Sequence, residues 1–126
     1  MKRIIFICMA ICMIANVAYA QKKAVIAVEK ATHDFGKIKE SAGEVTHAFT
    51  LLNKGGKPLV VTRVVASCGC TTPTWNKEPI KPGGSTSLSI TFDPEYRVGP
   101  FVKTIAVYSN GKTGSFILTI RGEVIE

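Results

Sequence analysis

Two cysteines one residue apart, Cys68-Gly69-Cys70, are the most chemically loaded feature of the sequence. On a regular strand, residues i and i+2 point the same way and lie about 6.5–7 Å apart. A disulfide wants its Cβ atoms at about 3.5–4.5 Å. The two cysteines can therefore bond to each other only if the backbone turns sharply at Gly69, a turn that glycine allows. Four chemistries fit the pair. One is a strained, easily reduced disulfide suited to thiol–disulfide exchange. The second is a two-thiolate half-site for a soft ion such as Cu(I) or Zn(II). The third is a buried structural pair, and the fourth is a bond between two chains. A complete zinc site takes four ligands, and only His33 and His47 stand as further imidazoles. No cofactor is assigned.

The neighbours Ser67, Thr71 and Thr72 are small or polar and would leave the cysteines accessible, which marks Cys68 as the candidate attacking thiol. Trp75, the single tryptophan, is read either as loop or core packing or as an aromatic wall beside the cysteines. A thioredoxin-type pair has two intervening residues and opens a helix; here there is one, and no helical period is visible. Other signals fail. Gly111-Lys112-Thr113 ends like a phosphate-binding loop, but Ala106 stands where that motif needs glycine. His33-Asp34 accompanies no Gly-x-Ser-x-Gly elbow. A dyad of Cys68 with His33 or His47 depends on spatial geometry. No residue is assigned a catalytic role.

The compartment bears on the cysteines. Lys2 and Arg3, an apolar run from Ile4 to Val17 broken by Asn16, and Ala18-Tyr19-Ala20 before Gln21 make a cleavable secretory signal over residues 1–20. The bulky Ile7 and Ile11 argue against lipoprotein cleavage before Cys8 or Cys12. Residues 21–126 are then expected to form one exported domain, periplasmic or secreted, touching the membrane only through the signal. Cleavage removes two of the four cysteines and all three methionines. The loss of thioether ligands weakens a copper-carrier reading. It leaves 14 basic against 9 acidic residues, a charge of +5 spread along the chain. That balance reads as a lysine-rich solvated surface. Nucleic acid is excluded as a partner by export and by the lack of an aromatic-basic platform.

The elements that position the cysteines read as strands. Val25–Val28, Thr32–Gly36, Glu44–Leu52, Leu59–Ala66, Ser85–Phe92, Phe101–Tyr108 and Phe116–Val124 are extended by alternation or β-branched content. In the third, His47 interrupts the apolar face of Val45, Phe49 and Leu51 and is expected near the edge of the core. Asn53 to Pro58 is a turn by composition, and Asn110-Gly111 a hairpin signal, since both residues tolerate positive φ. The stretch after Cys70, with Pro73, Pro79, Pro82, Gly83 and Gly84, reads as a loop. About seven short strands in one domain point to an all-β, immunoglobulin-like sandwich.

Two stretches carry a closer likeness. His47 to Leu59 gives an alternating strand, Asn53, then Gly-Lys-Pro-Leu; Pro82 to Pro94 gives Pro-Gly, alternation, then Thr-Phe-Asp-Pro. Both resemble the immunoglobulin-like modules of the ASH, MSP and Hydin type. With Ser67 to Pro73, Trp75, Gly99-Pro100-Phe101 and Tyr108-Ser109-Asn110, the chain resembles a bacterial family of exported domains of unknown function (DUF family 1573) with a Ser-Cys-Gly-Cys-Thr signature. The resemblance covers about residues 32–124 and implies the fold and export, but no activity. The leading expectation is a non-enzymatic interaction module of the cell envelope with a protein partner. The alternative is a periplasmic thiol–disulfide or metal-handling protein acting through Cys68 and Cys70.

Overall fold

The computed structural model describes residues 23–126. The signal-peptide reading of residues 1–20, and with it Cys8 and Cys12, lies outside the described residues. Among the described residues, eight strands build two four-stranded sheets. One sheet runs β1 (Ile26–Val28), β3 (Val45–Asn53), β6 (Ser85–Phe92), β5 (Thr71–Trp75). The other runs β2 (Thr32–Lys39), β8 (Ser115–Ile125), β7 (Gly99–Ser109), β4 (Val61–Ala66). All pairings are antiparallel except β2 with β8. The fold is the expected immunoglobulin-like sandwich, with one strand more than the seven expected.

Alternation explains how the sheets close on each other. Leu88, Ile90 and Phe92 of β6, Ile105 and Val107 of β7, and Leu118 and Ile120 of β8 are fully buried between the sheets. Burying each such side chain contributes about 1.5–3 kcal/mol. Phe92 and Phe101 stack across the interface, with ring centroids 4.1 Å apart. A smaller cluster of Ala24, Leu59 and Ile80 seals one end. There Leu59 pairs with Ile80 outside the regular strands, so the strand expected from Leu59 begins at Val61.

The extra strand is β5, which lies in the stretch read as a loop. The hydrogen bond from Asp93 N–H to the Cys70 carbonyl (2.9 Å) fixes the hydrogen-bonding phase of the β5–β6 pair. By alternation, Thr72 and Thr74 then face β6 through their backbone, while Thr71, Pro73 and Trp75 turn theirs to the open edge. Pro73 therefore loses no ladder bond, which is how an edge strand tolerates proline.

The Asn110-Gly111 turn also differs in detail. Neither residue adopts positive φ; Gly114 does, at 74°. The Asn110 side chain instead accepts from Val60 N–H at 2.8 Å and donates to the Pro58 carbonyl at 3.2 Å. That ties the hairpin to the chain entering β4.

Candidate functional site

Cys68, Gly69 and Cys70 form the corner where the chain leaves the edge of one sheet at β4 and enters the edge of the other at β5. The corner is anchored from both sheets. Ser67 N–H donates to the Thr104 carbonyl (2.9 Å), and Thr104 N–H donates back to Ser67 Oγ (3.1 Å). Across the corner, Thr71 N–H reaches the Cys68 carbonyl at 3.2 Å. The Asp93–Cys70 backbone bond holds the far side. The sulfurs of Cys68 and Cys70 are bonded to each other, with their Cα atoms 5.3 Å apart, inside the usual span for a disulfide.

The turn expected at Gly69 is made, and without a left-handed backbone at the glycine. Gly69 has no positive φ, and a Cβ built on it would meet nothing within 4 Å. Gly69 itself is exposed.

The two sulfur-bearing residues differ. Cys70 is 5% exposed and belongs to the main core, whereas Cys68 packs against that core and is only half-buried. The Cys70 N–H donates to Cys68 Sγ at 3.0 Å. The Cys70 Sγ lies 3.6 Å from the buried Thr71 hydroxyl. Thr72 is exposed on the outer face of β5. Trp75 ends β5 half-buried against the same core, with Lys77 Nζ 5.6 Å from its ring centroid. Its indole N–H is buried without a hydrogen-bond partner among the described residues.

The imidazoles are elsewhere. His33 lies on β2, at the edge of its sheet opposite β4, and His47 lies on β3, with β6 between it and β5. Strand spacing of about 4.8 Å sets both apart from the cysteine corner. They stack on each other instead. A dyad or metal set joining them to Cys68 and Cys70 is thereby ruled out in this fold.

Two nearby features escaped the sequence reading. Continuing the β4–β7 register past Ala66–Ile105 and Ser67–Thr104 sets Cys68 level with Lys103. Lys103 is a half-buried cation on the face that carries Phe101 and Ile105. A lysine interrupting that apolar alternation was the available signal. Second, Asp93 adjoins a bowl of about 720 Å³ that also gathers Glu40, Glu44, Glu95, Tyr96 and Glu126. Those carboxylates are scattered in sequence and meet only through the fold.

The family model described as a protein of unknown function, DUF1573, matches residues 26–124. The chain belongs to this family. The matched DUF1573 region runs from β1 almost to the end of β8 and contains the cysteine corner. No curated protein matches the chain in sequence. Among solved structures, a protein of unknown function from Porphyromonas gingivalis W83 superposes with TM-score 0.71 at 23% identity, over 79% of this chain and 46% of that one. This DUF1573 chain thus spans under half the length of that protein. The ASH/PapD-like domain 7 of human CEP192 superposes with TM-score 0.67 at 11% identity, covering 82% of this chain and 87% of that one. The VesB protease of Vibrio cholerae gives TM-score 0.60 at 16% identity, over 86% of this chain and 33% of that one. These likenesses show the fold alone.

Proposed function

We propose that this DUF1573 chain is an exported, non-enzymatic interaction module of the cell envelope, and that it binds a protein partner beside β1 and the first half of β8. One observation carries the reading: among the described residues, β8 begins without a neighbour on its β2 side. The bonds Ser109 N–H to Gly114 O (2.8 Å) and Thr119 N–H to Ala31 O (2.8 Å) fix the phase of β8. Even-numbered residues face β7, and Ser115 and Ile117 face the other way. Pairing with β2 starts only at Thr119. Among the described residues, the Ile117 N–H and C=O therefore have no strand beside them. A groove of about 310 Å³ lined by Ile26, Ala27, Val28, Ala31, Phe116 and Ile117 lies alongside. Ile117 is 52% exposed. An added strand would satisfy the open backbone, and the groove would take an apolar side chain.

The test is a photo-crosslinking residue placed at Ile117 and, as a control, at exposed Thr50 on the opposite sheet, followed in living cells. Discrete protein adducts at position 117 alone are expected, and they should survive Cys68→Ser with Cys70→Ser. No adduct, or the same adducts at both positions, refutes the binding surface.

A second reading, thiol–disulfide or metal handling through Cys68-Gly69-Cys70, is favoured in its exchange form by the unequal exposure of the two cysteines. The metal form would need both sulfurs unbonded. Among the described residues no group of three or more His, Cys, Asp or Glu side chains is placed to hold a metal ion.

A further inference from the structure

Resting on the second reading above and independent of the partner groove, we infer that the Cys68–Cys70 pair exchanges with cysteines of extended polypeptides. Cys68 forms the bond to the substrate, and Cys70 resolves it.

Access assigns the roles. An incoming thiolate must approach along the axis of the bond and strike a reachable sulfur. Cys68 is half-buried beside the open Gly69 and the more accessible of the two, while Cys70 is in the core. Hydrogen bonding supports the same order. The Cys70 N–H already points at Cys68 Sγ, 3.0 Å away, and would stabilise negative charge on that sulfur once the bond opens. The Thr71 hydroxyl stands 3.6 Å from Cys70 Sγ and can donate to the thiolate there when Cys70 is the leaving group.

The steps balance as follows. In the dithiol form, the Cys68 thiolate attacks a substrate disulfide. A Cys68–substrate bond forms, the substrate S–S bond breaks, and one substrate thiolate departs. Cys70 then gives its proton to water and attacks Cys68 Sγ. The internal bond closes, and the second substrate sulfur leaves as a thiolate that takes up a proton. Two electrons pass from the two cysteines to the substrate. Run in reverse, a substrate dithiol reduces the internal bond by the same path.

The edge beside the corner favours a polypeptide over a small thiol. The Ser67–Thr104 bond fixes the phase of β4, so Val64 and Ala66 turn their N–H and C=O groups away from β7. No other strand pairs with that edge among the described residues. A substrate segment extended along it runs toward Cys68. The β5 edge offers less, because Thr71 N–H is engaged by Cys68 O and Pro73 has no N–H.

The test uses a short extended peptide whose single cysteine is joined to thionitrobenzoate, and free cysteine activated in the same way. With the peptide, Cys70→Ser should form a covalent peptide adduct at least about tenfold faster than Cys68→Ser. Reduced wild type should pass through the adduct to its internal disulfide and release the peptide thiol. Limited alkylation of reduced wild type, mapped by mass spectrometry, should label Cys68 first, which checks the roles without a core substitution. Equal or reversed labelling overturns the assignment of roles. Reduced wild type that no disulfide oxidises overturns exchange itself. Equal rates with peptide and free cysteine overturn the polypeptide substrate.

Discussion

His33 on β2 and His47 on β3 stack across the sandwich, their ring centroids 3.6 Å apart and their planes 7° from parallel. Phe35 meets His33 edge-on, and Phe49 meets His47 in the same way. Their strand partners on the neighbouring strands are the buried Ile120 and Ile90. In this apolar setting, desolvation first and the facing His33 second lower the His47 pKa below 6.5. An unfolded chain protonates His47 near pH 6.5 while the folded one resists. Stability is therefore fully present above that value and falls as pH drops toward the lowered folded value. Urea midpoints measured from pH 7.5 to 5 should decline across this window, and His47→Gln should flatten the decline. A midpoint that rises on acidification contradicts the stacked arrangement.

Asn53 is predicted to be the most costly polar position to change. It is 1% exposed. Its Nδ2 donates to the Lys57 and Ile80 carbonyls, both at 2.8 Å, and its Oδ1 accepts from Gly55 N–H at 3.0 Å and Val25 N–H at 3.3 Å. One side chain thus joins the residue leading into β1, the turn after β3 and the approach to β6. Asn53→Ala should cost about 2–4 kcal/mol in urea unfolding. Asn53→Asp should cost more, because a carboxylate would face two carbonyl oxygens. A loss under about 1 kcal/mol for Asn53→Ala would refute this hub.

The glycines Gly55 and Gly69 should respond in opposite ways to alanine. A Cβ at Gly55 would collide with the Lys23 carbonyl oxygen and the backbone at Ala24 and Val25. Relieving that overlap should cost about 1–3 kcal/mol. At Gly69 the space is open and φ is not left-handed. Gly69→Ala should change stability by less than about 1 kcal/mol and keep the disulfide. Thermal melts of the two variants decide the comparison, and similar losses would contradict it.

Much of the fold was legible because four strands alternate over a buried face. Leu88, Ile90 and Phe92 alternate with Ser87, Ser89 and Thr91 along the sequence and are fully buried. The strand β5 was not legible, because Pro73 hides an edge strand whose proline points its missing donor outward. His47 was expected near the edge of the core; it is half-buried, and its partner His33 sits in the other sheet, a pairing that spacing along one strand does not reveal. Asn53 read as a turn residue because its four hydrogen bonds run to segments up to 28 residues away. At the site, Cys68, Gly69 and Cys70 were found by type and spacing. The unequal burial of Cys68 and Cys70 arises only where two sheet edges meet, and the relation of Lys103 to Cys68 follows from strand register.

The disulfide should do little for stability. It closes a loop of three residues, so the chain entropy it removes from the unfolded state amounts to about 1–2 kcal/mol. Reduction should leave the circular dichroism spectrum unchanged and lower the urea midpoint only slightly. Loss of the fold on reduction would make the bond a structural staple.

The most direct measurement is the state of Cys68 and Cys70 in cells. Thiols are alkylated during lysis, and intact mass spectrometry then counts free dithiol, internal disulfide and mixed disulfide. An exchange site gives both dithiol and disulfide in wild type, and Cys70→Ser accumulates mixed disulfides through Cys68. A pair found wholly oxidised, unchanged by reductive stress and with no mixed disulfide in Cys70→Ser, would contradict exchange and return the cysteines to a structural role.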